Sequence, residues 1–181
     1  MQPNMKTESR EWLYSSFPYT HIATLQLESA YRNRDAAERT FNRFVYKFNE
    51  RLWGSNNWKK GTSDKKLSVL GVIQGKRISE TIHLHLAISG FPSKHTEREL
   101  KNAFYKAALH THGIQCFWPK RENDYKVPNE TDLSVEFDRV GNSGAWLNYI
   151  TRELSKTNLD DLLIQHVSNP ASTSFARLPV Q

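Results

Sequence analysis

Residues 67–89, LSVLGVIQGKRISETIHLHLAIS, hold two runs with strand character, LSVLGVIQG (67–75) and ETIHLHLAIS (80–89). Both are rich in β-branched residues and leucine, and the polar KRIS lies between them, so the stretch predicts a β-hairpin. Side chains alternate along a strand, which puts His83 and His85 on one face, roughly 7 Å apart. Leu84, Leu86 and Ile88 then point the other way, into a core. If the hairpin turns around Ile78–Ser79, Gln74 sits opposite His83 and shares its face. Two neutral imidazoles and an amide oxygen can hold one divalent ion. Glu80 is the alternative third ligand; it carries the stronger donor but needs a bulge to reach that face. Taken alone, the same pair also fits two surface histidines. His110 and His112 repeat the spacing at a helix end, where positions i and i+2 diverge, and read as a C-terminal cap. His21, His95 and His166 read as ordinary histidines.

Working outward from the hairpin, YTHIATLQLESA (19–30) alternates as a strand, with Ile22, Thr24 and Gln26 on one face and Ala23, Leu25 and Leu27 on the other. NRDAAERTFNRFVYKFNERLW (33–53) predicts a helix capped by Asn33 or Asp35, with Phe41, Phe44, Val45 and Phe48 as its apolar stripe. A second helix is expected over 94–113, closed by Gly113 at C′. DLSVEFDRV (132–140) predicts a fourth strand, and 141–167 one or two further helices. The resulting order, β-α-β-β-α-β-α, suits an α+β domain. Its four- to five-stranded antiparallel sheet would carry helices on one face, as in ferredoxin-like and RRM-like folds. The other sheet face is then expected to be open to a ligand. Residues 1–18 read as an N-terminal arm, 19–167 as one domain and 168–181 as a C-terminal tail.

The 181 residues carry a net charge of +6 and a sequence pI near 9.4, which favours an acidic partner, nucleic acid above all. Mean hydropathy is −0.68 and no apolar run approaches a membrane span. The start has no apolar h-region, and a lone cysteine, Cys116, leaves no disulfide framework. A reducing, intracellular setting is expected. Cations for phosphates and rings for bases cluster in the loop 53–66, with Trp53, Trp58, Lys59, Lys60, Lys65 and Lys66. Lys76 and Arg77 at the hairpin tip, and Lys120 and Arg121 beside Trp118, are the next candidates. Each of these loops also fits an ordinary solvated loop.

GAWLNYITRELSK (144–156) adds a nucleophile. On one helix, Tyr149 is followed by Arg152 at i+3, Glu153 at i+4 and Lys156 at i+7, all on one face. A phenol, with an ordinary pKa of about 10, can attack phosphorus if neighbouring cations stabilise its phenolate. A bound metal would polarise the phosphate. The same tyrosine also fits an amphipathic filler.

Together these parts resemble the HUH endonuclease superfamily, particularly the single-tyrosine Rep-type initiators of rolling-circle replication. HLH at 83–85 matches their His-hydrophobic-His strand, and YITR at 149–152 matches Tyr-x-x-Lys with arginine in the lysine place. HIATLQLES (21–29) is similar to their loose first-strand motif. Gln74 stands where an acidic residue often precedes the histidines. The resemblance spans roughly 19–158, with about six residues in the sharp motifs.

It implies a metal-dependent nickase for single-stranded or hairpin origin DNA, with one Mn²⁺ or Mg²⁺ on His83, His85 and Gln74. Tyr149 would form a 5′-phosphotyrosine link, assisted by Arg152 and Lys156. Arg152 cannot give up a proton, so it can hold phosphate but cannot act as a base. No P-loop occurs, so unwinding would fall to a host helicase or to supercoiling. A bacterial or phage source implies the cytoplasm, a eukaryotic virus the nucleus. Other expectations compatible with the residues are a transposase or relaxase of the same superfamily, a nuclease using water, and a passive RRM-like module. The RNP1-type pattern of the last is missing.

Overall fold

The computed structural model describes residues 19–28, 33–55, 66–75, 82–115, 135–140 and 162–165. They form five strands, β1 (His21–Gln26), β2 (Ser68–Gln74), β3 (His83–Ser89), β4 (Val135–Arg139) and β5 (Leu162–Gln165), and two helices, α1 (Arg34–Trp53) and α2 (Glu97–Leu109). The fold is α+β. All five strands join one antiparallel sheet in the order β4-β1-β3-β2-β5. Because β1 and β2 both run antiparallel to β3, they are parallel to each other, with α1 connecting them and β3 inserted between. Likewise β3 and β4 flank β1 and are joined through α2. Among the described residues no helix is long and apolar enough to cross a membrane.

α1 begins where its sequence stops competing with it. Asn33 is extended and its side chain accepts a hydrogen bond from the Ala36 N–H at 2.8 Å, while Asp35 places negative charge in the first turn. The predicted stripe is buried: Phe41, Phe44, Val45 and Phe48 are all in the core. Gly54, at φ +79°, ends the helix with its N–H on the Glu50 carbonyl. Gly71 on β2 lets α1 come close, since a Cβ there would lie 2.8 Å from the Phe41 ring. α2 starts with a reciprocal cap. The Thr96 hydroxyl accepts from the Glu99 N–H, and the Glu99 carboxylate accepts from the Thr96 N–H at 2.7 Å. The backbone and side-chain hydrogen bonds from Thr96 hold the Glu99 carboxyl below the ordinary carboxylate range. The helix ends at Leu109 with His110 as its cap, so Gly113 lies beyond the C′ position and serves the following turn at φ +97°.

Both helices lie on the sheet face of Ala23, Leu25, Leu84, Leu86 and Phe137. A cluster of rings binds the layers together. Phe104 stacks on Phe137 at 4.7 Å and meets Phe44 and Phe48 edge-on at 5.2 and 5.5 Å. Asn49 fastens the end of α1 to the start of β2. Its side-chain N–H donates to the Val45 carbonyl, and its oxygen accepts from the Leu67 N–H at 2.9 Å, all without access to water. Asn49→Ala strands that buried N–H, and we expect a loss of about 1–3 kcal/mol in denaturant unfolding with an unchanged m value.

Two expectations are corrected here. Helix was expected across 141–167, but Leu162–Gln165 is the strand β5, with Leu163 paired to Gly71 and Leu162 to Val72. A short apolar run such as LLI has no periodicity that separates helix from strand, and pairing to the β2 edge decides it. The rest of that stretch lies outside the described residues. The sheet face away from the helices is also not open throughout. Leu70, Val72 and Ala87 on that face are fully buried, so β2 and β3 are covered on both sides.

Candidate functional site

The β2–β3 register is the one hairpin arithmetic requires: Gln74 pairs with His83 and Val72 with His85. On the other side of β3, Gln26 pairs with His83 and Thr24 with His85. The sheet therefore carries two adjacent rows on the face away from the helices, Gln26-His83-Gln74 and Thr24-His85-Val72. The imidazoles share that face, with ring centroids 6.2 Å apart and planes inclined by 24°. His85 and Gln74 are nearly buried, at 5% and 3% exposure, whereas His83, Thr24 and Gln26 are half-buried. Access is thus from the β1–β3 side, with His85 and Gln74 on the floor.

The donor set suits a divalent ion. An ion held at about 2.1 Å by a nitrogen of each ring would draw the two centroids closer than the 6.2 Å seen here. The directly opposed amide of Gln74 supplies a hard oxygen on the same face. Among the described residues no group of three or more His, Cys, Asp or Glu forms a ligand cluster, and the residue opposite His83 is a neutral amide, Gln74. Glu80, the acidic alternative, lies outside the described residues.

Thr24 and Gln26 are missing from the sequence-derived site. Their alternation with Ala23 and Leu25 put them on one face of β1, but local periodicity alone does not place β1 beside β3. The Thr24 hydroxyl lies 3.1 Å from His85 Nδ1. His21 is an ordinary histidine as expected: it is buried on the helix face, stacked 5.0 Å from Phe137, with Nδ1 on the Thr20 hydroxyl and Nε2 3.0 Å from Glu97.

Two DNA-binding candidates fall among the described residues, and neither is near the histidines. Trp53 is in the last turn of α1 and packs against the core, so its ring is not a free stacking platform. Lys66 precedes β2, at the Ser68–Ser89 end of the hairpin; Gln74 and His83 pair at the other end, roughly 20 Å along the strand. Trp58, Lys59, Lys60, Lys65, Lys76, Arg77, Lys120 and Arg121 lie outside the described residues, as do Tyr149, Arg152 and Lys156. The described tyrosines are unsuited to attack at the histidines. Tyr46 and Tyr105 belong to the helices on the opposite face, and Tyr19 precedes β1 at its far end. Burial also pushes the Tyr19 phenol well above its ordinary range.

No family model matches the chain, and neither a curated protein nor a solved structure matches it.

Proposed function

We propose that the chain is an HUH-type endonuclease, a metal-dependent nickase and strand-transferase for single-stranded or hairpin DNA that initiates rolling-circle replication. The observation that carries this reading is the meeting of His83, His85 and Gln74 on one sheet face in the predicted register. The strand order β4-β1-β3-β2, with two interleaved β-α-β units and both helices on one face, supports a ferredoxin-like core for it. The net charge of +6 suits a polyanion.

In this reading His83, His85 and Gln74 would hold one Mn²⁺ or Mg²⁺, which would supply charge neutralisation at the scissile phosphate. The half-buried His83 faces the DNA, and the buried His85 and Gln74 keep water from the floor of the site. The Tyr149 oxygen attacks phosphorus in line, forming the new P–O bond as the bond to the 3′ oxygen breaks. The phenol proton leaves to solvent, and the 3′ oxygen takes one up. Arg152 and Lys156 hold the phosphate and the phenolate. The phosphotyrosine keeps the phosphodiester energy, so a 3′-hydroxyl can reverse the step without ATP.

A passive RRM-like module would need rings on the sheet face for base stacking. On that face the described residues of β1, β2 and β3, from Ile22, Thr24 and Gln26 to Ser68, Leu70, Val72, Gln74, His83, His85, Ala87 and Ser89, include no Phe, Tyr or Trp.

The test is a denaturing gel after incubation with Mn²⁺ and a labelled single-stranded oligonucleotide pool. The expected result is a protein–DNA adduct that chelator and Tyr149→Phe both remove. Cutting that survives Tyr149→Phe would assign the attack to water, and binding without cutting would leave only a passive module.

A further inference from the structure

We propose that Thr24 is a positioning residue for the metal centre: its hydroxyl accepts a hydrogen bond from the Nδ1–H of His85 and so keeps the Nε2 lone pair for the ion. The inference rests on the metal-site reading above. It names a residue on a different strand, for which that reading gave no role.

The geometry comes first. Thr24 and His85 are directly opposed on β1 and β3, and the hydroxyl oxygen is 3.1 Å from Nδ1. A neutral imidazole has one N–H and one lone pair. A hydroxyl can either accept from Nδ1–H or donate to a bare Nδ1, and the two choices fix opposite tautomers. If Nε2 binds the ion, Nδ1 must carry the proton, and the threonine oxygen accepts a hydrogen bond from that N–H. Metal-bound histidines are routinely oriented in this way through their second nitrogen.

Burial makes the choice consequential. His85 is 5% exposed, so few waters are available to satisfy Nδ1 in place of the hydroxyl. Threonine suits the position because a β-branched residue is stiff at χ1 and favours strands. The hydroxyl is therefore held in place by the strand that carries it. His83 pairs with Gln26 on the same strand, so β1 lines both imidazoles and not only one. β1 therefore belongs to the site, although the two histidines and Gln74 all lie on the β2–β3 hairpin.

The experiment compares wild type, Thr24→Val, Thr24→Ser and His83→Ala as full-length chains with retained circular dichroism. Two readouts are used: Mn²⁺ affinity without DNA, and the ¹⁵N shifts of the His85 ring without metal. We expect Thr24→Val to weaken Mn²⁺ binding by about 10- to 100-fold and to remove the protonated-Nδ1 signature of His85. Thr24→Ser, which restores a hydroxyl, should recover both. The proposal is overturned if Thr24→Val binds Mn²⁺ as wild type does while His83→Ala loses it. It is also overturned if the wild-type His85 ring is protonated at Nε2. Failure of wild type itself to bind Mn²⁺ would remove the metal site, and this inference with it.

Discussion

Alanine in place of His83 or His85 will lower Mn²⁺-dependent cutting of single-stranded DNA by roughly two to four orders of magnitude. The figure follows from the several kcal/mol that a bound ion contributes at a phosphoryl oxygen, with each 1.4 kcal/mol worth tenfold in rate. Both rings lie on one face of β3, and in the proposed site each supplies one nitrogen to the ion, so neither can substitute for the other. DNA binding should fall far less, because cations elsewhere in a chain of net charge +6 supply the phosphate contacts. Single-turnover cutting and anisotropy titration of a labelled oligonucleotide separate the two effects. Gln74→Glu is the informative counterpart. A carboxylate opposite His83 should tighten divalent-ion binding, yet without metal it places a charge at a position 3% exposed and should destabilise the fold. A variant that gains metal affinity and loses apo stability meets both expectations. Unchanged cutting in both histidine variants would remove the pair from the chemistry.

Phe104→Ala should cost about 3–5 kcal/mol, a large share of the roughly 5–15 kcal/mol that holds a domain together. The Phe104 ring has no exposure and meets Phe44 and Phe48 of α1, its neighbour Tyr105 and Phe137 of β4. Removing it opens a void where both helices meet the sheet, and close packing leaves neighbouring side chains little freedom to fill it. Chemical denaturation will show the loss directly. A cost below about 1 kcal/mol would mean that the helices can collapse onto the gap. The histidine face lies on the other side of the sheet, so at temperatures where the variant stays folded its Mn²⁺ affinity should change little.

The hairpin register was legible because the polar KRIS places the turn around Ile78–Ser79, and a turn centred there pairs Gln74 with His83. Helical spacing made α1 legible from Phe41, Phe44, Val45 and Phe48. Burial of the second sheet face had a signal that alternation obscured: VLGVI is nearly continuous in apolar residues, as strands covered on both sides are. The cap of α2 is also written in the chain, in the spacing of Thr96 and Glu99, and it starts the helix at Glu97 rather than at the expected position 94. β5 and the neighbourhood of Thr24 were not legible. Both depend on which strand edges pair, a long-range choice that local periodicity does not encode. Tyr149 and its cations remain an inference from helical spacing, outside the described residues.

The central claim is that His83, His85 and Gln74 hold one divalent ion together, and electron spin-echo spectroscopy of added Mn²⁺ tests it most directly. The account predicts one ion per chain with nitrogen couplings from two imidazoles, both lost in His83→Ala/His85→Ala. Manganese bound without imidazole nitrogen, or bound equally by the double variant, would contradict it.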